Sequence, residues 1–218
     1  MAFLDPAEEI ELKGKISSDL SQLGKLYKAK SSKYHVRSVE HSLVEGLVDE
    51  GWEEFGQPLK TRTRLRREKS HDVQLEDDIW CQLYNLGYRC FSVDRDFKLP
   101  FGKTSAERKQ IDVLAINDDS ILLVECKSSK KWAKPPSFKT EFEALKLRLD
   151  GHKKALEQIF GAGRRIKYVF ATRNYRISRD GADAKRLIDA GGFLYNDNSY
   201  EYVEGLTKTY KNAAHYQF

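Results

Sequence analysis

This chain has few cysteines, and it contains neither a long apolar run nor an N-terminal pattern typical of a signal peptide. Its three cysteines, Cys81, Cys90 and Cys126, have no metal-ligand spacing and leave an odd count, which favours reduced thiols in a cytosolic protein. No apolar run approaches the length of a membrane span, and the N-terminus lacks the basic-then-apolar pattern of a signal peptide. We therefore expect a soluble cytoplasmic protein without a membrane partner.

Neither sign of charge dominates the sequence. The 218 residues carry 38 Lys and Arg against 33 Asp and Glu, which gives a net charge of +5. This balance permits nucleic-acid binding without requiring it, because the clustering of basic residues matters more than their number. The length is enough for one good-sized domain or for a domain with an appendage.

We expect residues 1–70 to form a helical extension with a basic strand or arm. An Asp-Pro start and an apolar stripe predict a helix over residues 5–30, and "VEHSLVEGLVDEG" predicts a second, shorter helix. Between Lys60 and Lys69, six basic residues stand against one acid, and alternating arginines predict a strand with one basic face. This face either contacts nucleic acid or belongs to a solvated linker or edge strand. The alternating arginines are Arg62, Arg64 and Arg66.

Residues 71–218 have the pattern of an α/β domain. The predicted order is helix, three strands, helix, strand, helix, strand, which indicates a central mixed β-sheet flanked by helices. Within it, "KQIDVLAIN" and "ILLVECKSS" predict two strands joined by a turn. The longest predicted helix contains His152 and Lys153, which we expect to face solvent or, alternatively, a bound phosphate.

The predicted hairpin brings two acidic residues together. If its turn is centred on Asp118 and Asp119, then Asp112 faces Glu125, with Cβ atoms about 5 Å apart. Lys127 shares this face, because successive strand residues point to opposite sides. Facing carboxylates raise the pKa of at least one of the pair unless a cation binds. Mg²⁺ is a hard ion that takes carboxylate, carbonyl and water oxygens, so the sequence predicts a magnesium site here.

These residues resemble the motif of the PD-(D/E)xK nuclease superfamily. Asp112 opens the first strand of the hairpin, and the run Glu125-Cys126-Lys127 follows after twelve residues. Four other copies of [DE]-x-K occur, but only this one ends an apolar strand whose neighbour carries an acid. The chain departs from the motif at Ile111, where the superfamily has proline, and it lacks a clear Gln-x-x-x-Gln pattern on the following helix.

The resemblance extends over about residues 71–205 and is greatest to the Mrr-like and archaeal Holliday junction resolvase-like branches. These branches commonly carry a glutamate on the helix before the sheet. Glu76 matches that position, with Asp77 and Asp78 as competing choices. The resemblance implies a restriction-endonuclease-like core.

By this resemblance the chain is a metal-dependent endonuclease. Mg²⁺, with Mn²⁺ as a substitute, would be held by Asp112, Glu125 and the backbone carbonyl of Cys126. Glu76 would lie in or next to the ligand set, and Lys127 would assist the attacking water. The expected settings are restriction, phage defence, or DNA repair and recombination.

DNA is the expected partner, and several basic residues are candidate contacts. Lys130 and Lys131 directly follow the motif, and Arg173 and Arg176 follow a later strand. The later pair either contacts DNA or belongs to an ordinary surface loop. Two alternatives remain open: a catalytically silent nuclease-fold module that binds nucleic acid or a protein, and a resolvase that acts on branched DNA as a homodimer. The chain end, "AAHYQF", leads us to expect the N-terminal part of a longer protein.

Overall fold

The computed structural model describes residues 2–175, 177–178 and 181–196. In these ranges, none of the helices is long and apolar enough to cross a membrane. The helices are α1 (Pro6–Gly14), α2 (Leu20–Lys30), α3 (Val44–Asp49, after a short 3-10 helix at His41–Leu43), α4 (His71–Asn85), α5 (Lys139–Phe160) and α6 (Ala182–Asp189). The strands are β1 (Ile16–Ser17), β2 (Tyr34–Glu40), β3 (Glu53–Glu54), β4 (Arg62–Glu68), β5 (Cys90–Ser92), β6 (Lys98–Pro100), β7 (Arg108–Gln110), β8 (Val113–Ile116), β9 (Ser120–Ala133), β10 (Arg165–Tyr175) and β11 (Gly192–Asn196).

A six-stranded sheet in the order β1-β5-β8-β9-β10-β11 forms the centre of the protein. The pairs from β1 to β9 are antiparallel, whereas β9, β10 and β11 run parallel. Parallel neighbours need a crossover connection, and α5 and α6 supply the two that this sheet requires. The sheet is therefore mixed, and the predicted α/β class with a central sheet flanked by helices is confirmed.

Helices cover both faces of this sheet. Helices α1, α5 and α6 pack on the face that carries Leu114 and Leu123. Helices α2 and α4 pack on the face that carries Val113 and Leu122. Successive side chains of β9 enter opposite cores, which explains its uninterrupted apolar run. Each fully buried aliphatic side chain contributes roughly 1.5–3 kcal/mol relative to exposure, so β9 is held firmly in place.

The β8–β9 hairpin has the register that the sequence predicts. Val113 pairs with Val124, and the Asn117 side chain stabilises the turn by accepting two main-chain N–H groups at 2.9 and 2.7 Å. Asp112 immediately precedes β8, and its N–H donates to the carbonyl of Val124 at 3.1 Å. The open end of the hairpin therefore brings Asp112 beside Glu125.

The N-terminal region divides between the central body and a second sheet. β1 is an edge strand of the six-stranded sheet, so residues 5–30 form two helices separated by a strand and not the single predicted helix. Asp19 starts α2 by accepting the N–H of Ser21 at 2.8 Å. Strands β2, β4 and β3 form an antiparallel three-stranded sheet. The segment "VEHSLVEGLVDEG" begins in β2, and its α-helical part is limited to α3.

Helix α5 buries a histidine that the sequence analysis placed at the surface. His152 is 1% exposed, and its ring meets Phe101 edge-on with centroids 5.9 Å apart. The preceding residue, Gly151, approaches the same segment so closely that a Cβ there would lie 1.9 Å from the carbonyl oxygen of Phe101. The prediction of a solvent-facing or phosphate-facing His152 is wrong, because the loop between β6 and β7, which contains Phe101, packs over this part of the helix.

Candidate active site at the open end of the hairpin

Asp112, Glu125 and Lys127 line one cleft at the open end of the β8–β9 hairpin. Lys127 Nζ donates to Glu125 Oε1 at 2.5 Å, and this carboxylate is only 3% exposed. The residues share a sheet face because Asp112 lies opposite Glu125 and Lys127 follows two positions later on the same strand. The structure thus brings together the three motif residues that the sequence singles out.

The carboxylate of Asp112, which lies just before β8, accepts a main-chain hydrogen bond from the neighbouring strand, β9. Asp112 Oδ2 accepts the main-chain N–H of Cys126 at 2.7 Å. The N–H and C=O of one strand residue point to the same side, so the carbonyl of Cys126 is directed toward the same edge. Its side chain packs against the opposite core, and burial raises the pKa of the thiol well above its usual value. Cys126 therefore offers its main chain to the cleft.

Three consecutive acids on α4 have three different environments. Glu76 lines the cleft and accepts a hydrogen bond from Arg95 at 2.5 Å. Asp77 is 1% exposed and points into the interior. Asp78 pairs with Arg173 at 2.7 Å. Of the three competing positions, Glu76 is the one that the structure places in the cleft.

Asp77 is the centre of a buried ion network. It pairs with Lys30 and Lys69 at 2.8 Å each and with Arg95 at 2.6 Å. Burial opposes ionisation, but the three cations, Lys30 first, hold the pKa of Asp77 below its usual value. Because Arg95 bonds both Asp77 and Glu76, this network also orients the glutamate of the cleft.

Burial and crowding raise the pKa values of two acids in the cleft. Burial, followed by the charge of Glu125, raises the pKa of Asp112 to about 6. Burial, followed by the charge of Asp112, raises the pKa of Glu76 to about 7. Burial disfavours the charged form of Lys127, but Glu125 and then Asp112 outweigh it and raise the pKa of this ammonium. The cleft therefore contains carboxylates whose ionised forms a nearby cation would stabilise, together with an ammonium that is charged at neutral pH.

The cleft has a volume of about 500 Å³ and contains residues that the sequence analysis missed. His71 Nδ1 lies 2.7 Å from Ser128 Oγ. Lys109 donates to Glu125 Oε1 at 3.1 Å and lies 3.5 Å from Glu141 of α5. Lys109 is the first residue of the predicted strand "KQIDVLAIN", which is only a weak signal for a site residue. Glu141 has the appearance of an ordinary acid in the first turn of a helix.

The predicted nucleic-acid contacts lie in three places. Lys130 and Lys131 are exposed on β9, beyond Lys127. Three arginines share the outer face of β4, and the residues between them are buried. Arg173 lies on β10 and pairs with Asp78 of α4. The β4 arginines are Arg62, Arg64 and Arg66, and the remaining predicted contact, Arg176, lies outside the described residues.

Comparisons with known proteins do not identify a function for this chain. No family model matches the chain, and no curated protein matches it significantly. A crystal structure of a protein of unknown function, AF1548, is similar at 16% identity and a TM-score of 0.39, over 62% of this chain and 64% of that chain. Protein VC1899 from Vibrio cholerae is similar at 10% identity and a TM-score of 0.32, over 94% of this chain and 51% of that chain. The chain therefore spans less than two thirds of either structure. Similarities this weak support no inference about its fold or function.

Proposed function

We propose that this protein is a Mg²⁺-dependent endonuclease that hydrolyses phosphodiester bonds in DNA with PD-(D/E)xK-type chemistry. The observation that carries the proposal is the meeting of Asp112, Glu125 and Lys127 in one cleft. A surface ion-pair ladder would not account for a glutamate that is 3% exposed. We propose a cytoplasmic role in restriction, phage defence or DNA repair, a setting that suits three free thiols.

The donor groups of the cleft fit Mg²⁺. Asp112, Glu125, Glu76 and the carbonyl of Cys126 are hard oxygen donors. No group of three or more His, Cys, Asp or Glu side chains is arranged to hold a metal ion in the part of the chain that the structure describes. Mg²⁺ does not need one, since it usually takes one or two carboxylates, several waters and oxygens of the substrate phosphate. Mn²⁺ accepts the same kinds of ligand and should substitute.

The side chains of the cleft have complementary roles in hydrolysis. Lys127 is held by Glu125 and keeps its proton at neutral pH, so it stabilises negative charge on the phosphate instead of acting as a base. Without a bound ion, burial and Asp112 raise the pKa of Glu76 to about 7, and because Oε2 is bonded to Arg95, Oε1 is the oxygen that would take an ion or a proton. When bound, Mg²⁺ supplies positive charge that polarises the phosphate and acidifies water.

Exposed cations around the cleft support DNA as the substrate. Lys130 and Lys131 continue from Lys127 along β9, and the β4 arginines add a second basic surface. Contacts with phosphates supply most of the affinity in non-specific DNA binding and position the duplex. Lys130 and Lys131 can therefore hold DNA beside the cleft without reading its sequence, and the β4 arginines offer a separate basic surface on the three-stranded sheet.

One observation favours a second candidate, a catalytically silent module that binds nucleic acid. Glu125 Oε1 accepts hydrogen bonds from both Lys127 and Lys109, so two ammonium groups already balance this carboxylate. Such pairing would hold the site together without a metal ion. A homodimeric resolvase that acts on branched DNA shares the site of the first candidate and differs in its substrate.

Plasmid cleavage with Mg²⁺ or Mn²⁺ tests the proposal. We expect the wild-type protein to cut DNA and metal chelation to stop it. Asp112→Ala and Lys127→Ala should each slow cleavage by about 10²-fold or more, the usual cost of removing a group that stabilises transition-state charge. Lys146→Ala changes an exposed lysine of α5 and is the matched control, so it should cut at the wild-type rate.

Linear, supercoiled and branched substrates separate the candidates. A strong preference for branched DNA favours the resolvase. DNA binding without cleavage under every metal condition favours the silent module. Cleavage that survives both Asp112→Ala and Lys127→Ala contradicts the assignment of the site.

A further inference from the structure

A second cleft, of about 610 Å³, lies where α2 meets the three-stranded sheet. Its walls come from the C-terminal half of α2, the start of β2, the end of β4 and the residue before β3. None of the described residues that line it also lines the first cleft. Its volume lies within the range of small-molecule and cofactor sites, so it is large enough for a ligand of nucleotide size.

The second cleft is positively charged. Lys25 and Lys28 of α2, Arg67 of β4 and Lys69 line it, and its described lining contains no Asp or Glu. Lys69 pairs with Asp77 at 2.8 Å, whereas Lys25, Lys28 and Arg67 form no ion pair with a described residue. Uncompensated cations in a concave site attract an anion. The first cleft, in contrast, is lined by several carboxylates and favours a cation.

A histidine in the wall of the second cleft is subject to this positive charge. Burial, followed by Lys69, Arg95 and Arg67, lowers the pKa of His35. Asp77 opposes the effect without cancelling it. The positive charge of the cations therefore extends to the wall of the cleft at His35.

Aromatic side chains give the second cleft an apolar wall and position one of its cations. The guanidinium groups of Arg67 and Arg37 lie 4.9 and 3.8 Å from the ring centre of Trp52, which is 8% exposed. Stacking holds an arginine without using its N–H groups, and a guanidinium fork can bind a phosphate through two parallel hydrogen bonds. Tyr34 and Val36 also line the cleft, from β2, where they alternate with His35 and share the sheet face of Arg66, whose guanidinium lies 4.7 Å from the Tyr34 ring centre. The lining suits a ligand that is anionic at one end and flat and apolar at the other.

We propose that the second cleft binds a nucleoside phosphate, with the phosphate against Lys25, Lys28 and Arg67 and the base against the apolar wall. Two sources share this chemistry: a free nucleotide and the terminal nucleotide of a DNA strand. An inorganic anion would leave the apolar wall without a partner. The proposal does not depend on cleavage in the first cleft.

Titration calorimetry on the full chain with EDTA present tests the proposal, because chelation prevents metal-dependent cleavage. The probes are AMP, adenosine, inorganic phosphate and a short 5′-phosphorylated single-stranded oligonucleotide. Lys25→Ala/Lys28→Ala removes two cations from exposed helix positions, and Lys146→Ala/Lys154→Ala removes the same charge from α5 as the matched control. We expect AMP or oligonucleotide binding to weaken about tenfold or more in the first variant and less than about twofold in the control.

The outcomes distinguish a free nucleotide from a strand terminus, and they also show when the proposal is wrong. Weakened binding of both AMP and the oligonucleotide supports a free nucleotide as a sufficient ligand, and weakened binding of the oligonucleotide alone supports a strand terminus. Binding of inorganic phosphate as tight as that of AMP and the oligonucleotide overturns the proposal, and so does an equal loss in the control.

A second variant tests the arginine without removing its charge. Arg67→Lys loses the fork that binds phosphate through two hydrogen bonds, so it should also weaken binding severalfold, with thermal melting as the check on folding. Binding that is unchanged in both Arg67→Lys and Lys25→Ala/Lys28→Ala overturns the site. Calorimetry is carried out with the metal chelated, so wild-type protein that cuts plasmid DNA but binds neither AMP nor the oligonucleotide overturns this inference alone, whereas protein that binds them at the second cleft without cutting DNA overturns the nuclease proposal alone.

Discussion

His152 should make the stability of the protein fall in mild acid. Its side chain is 1% exposed, and within the described structure neither ring nitrogen makes a well-formed hydrogen bond, although the Leu99 main chain lies close enough to oppose the lowering of its pKa. Burial, followed by the charge of Arg148, lowers the pKa of His152 from 6.5 to about 4. An imidazolium at this position would be a buried charge, so the folded state resists protonation.

The sign and size of the effect follow from the two pKa values. Between about pH 4 and pH 6.5 the unfolded chain binds a proton that the folded protein does not. The stability associated with neutral His152 is therefore fully present above pH 6.5 and is lost as the pH falls toward 4. A difference of about 2.5 pKa units corresponds to about 3 kcal/mol, of which about 2 kcal/mol is lost between pH 7.5 and pH 5.

Urea unfolding of the wild type and His152→Leu at about pH 7.5 and about pH 5 measures this effect. Other titrating groups are common to both proteins, so the difference in unfolding free energy should shift by about 2 kcal/mol in favour of the variant at the lower pH. Leu156→Ala removes a buried side chain one turn later and should cost about 2–5 kcal/mol at both pH values. A wild-type-to-variant difference that stays constant within about 0.5 kcal/mol would refute the reasoning.

Two further predictions concern stability and are measured by the same unfolding assay. Asp77→Asn should cost about 3–5 kcal/mol, because its lysine partners keep buried charges without a carboxylate, whereas Asp78→Asn, which is half exposed, should cost less than about 1 kcal/mol. An equal cost for both would contradict the buried network. Gly151→Ala should cost about 3 kcal/mol, because its Cβ would meet the carbonyl of Phe101 at 1.9 Å, whereas Gly24→Ala has open space in a helix and should stabilise slightly. A neutral Gly151→Ala would contradict this packing.

The central hairpin could be predicted because its information is local. Two short apolar runs flank the turn at Asn117, and the period of two then fixes which residues face each other. β1 is different, since a strand of two residues has no recognisable pattern and forms because it pairs with the edge of β5. The break in the predicted first helix has the same origin, because tertiary pairing outweighs helix propensity there.

The candidate site could be predicted only as far as the motif extends. Asp112, Glu125 and Lys127 follow from strand alternation. The choice of Glu76 over Asp77 depends on how α4 is rotated on the sheet, and a helical stripe does not give that rotation to within one residue. Lys109 lines the cleft and pairs with Glu141 of α5 through chain folding over a long sequence separation, so no local pattern identifies either residue.

The charges around Asp77 make the first seventy residues inseparable from the rest of the chain. Lys30 and Lys69 lie before residue 70 and their carboxylate lies after it, so the network crosses the expected boundary at that position. A chain cut there would bury an acid deprived of two of its cations and would lose β1 from the sheet. Exchange of either part for a sequence that lacks its share of this network would leave buried charge unpaired in the same way. Through Asp77, Lys69 of the second cleft is joined to Arg95, which holds Glu76 of the first cleft, so the two clefts share one ion network.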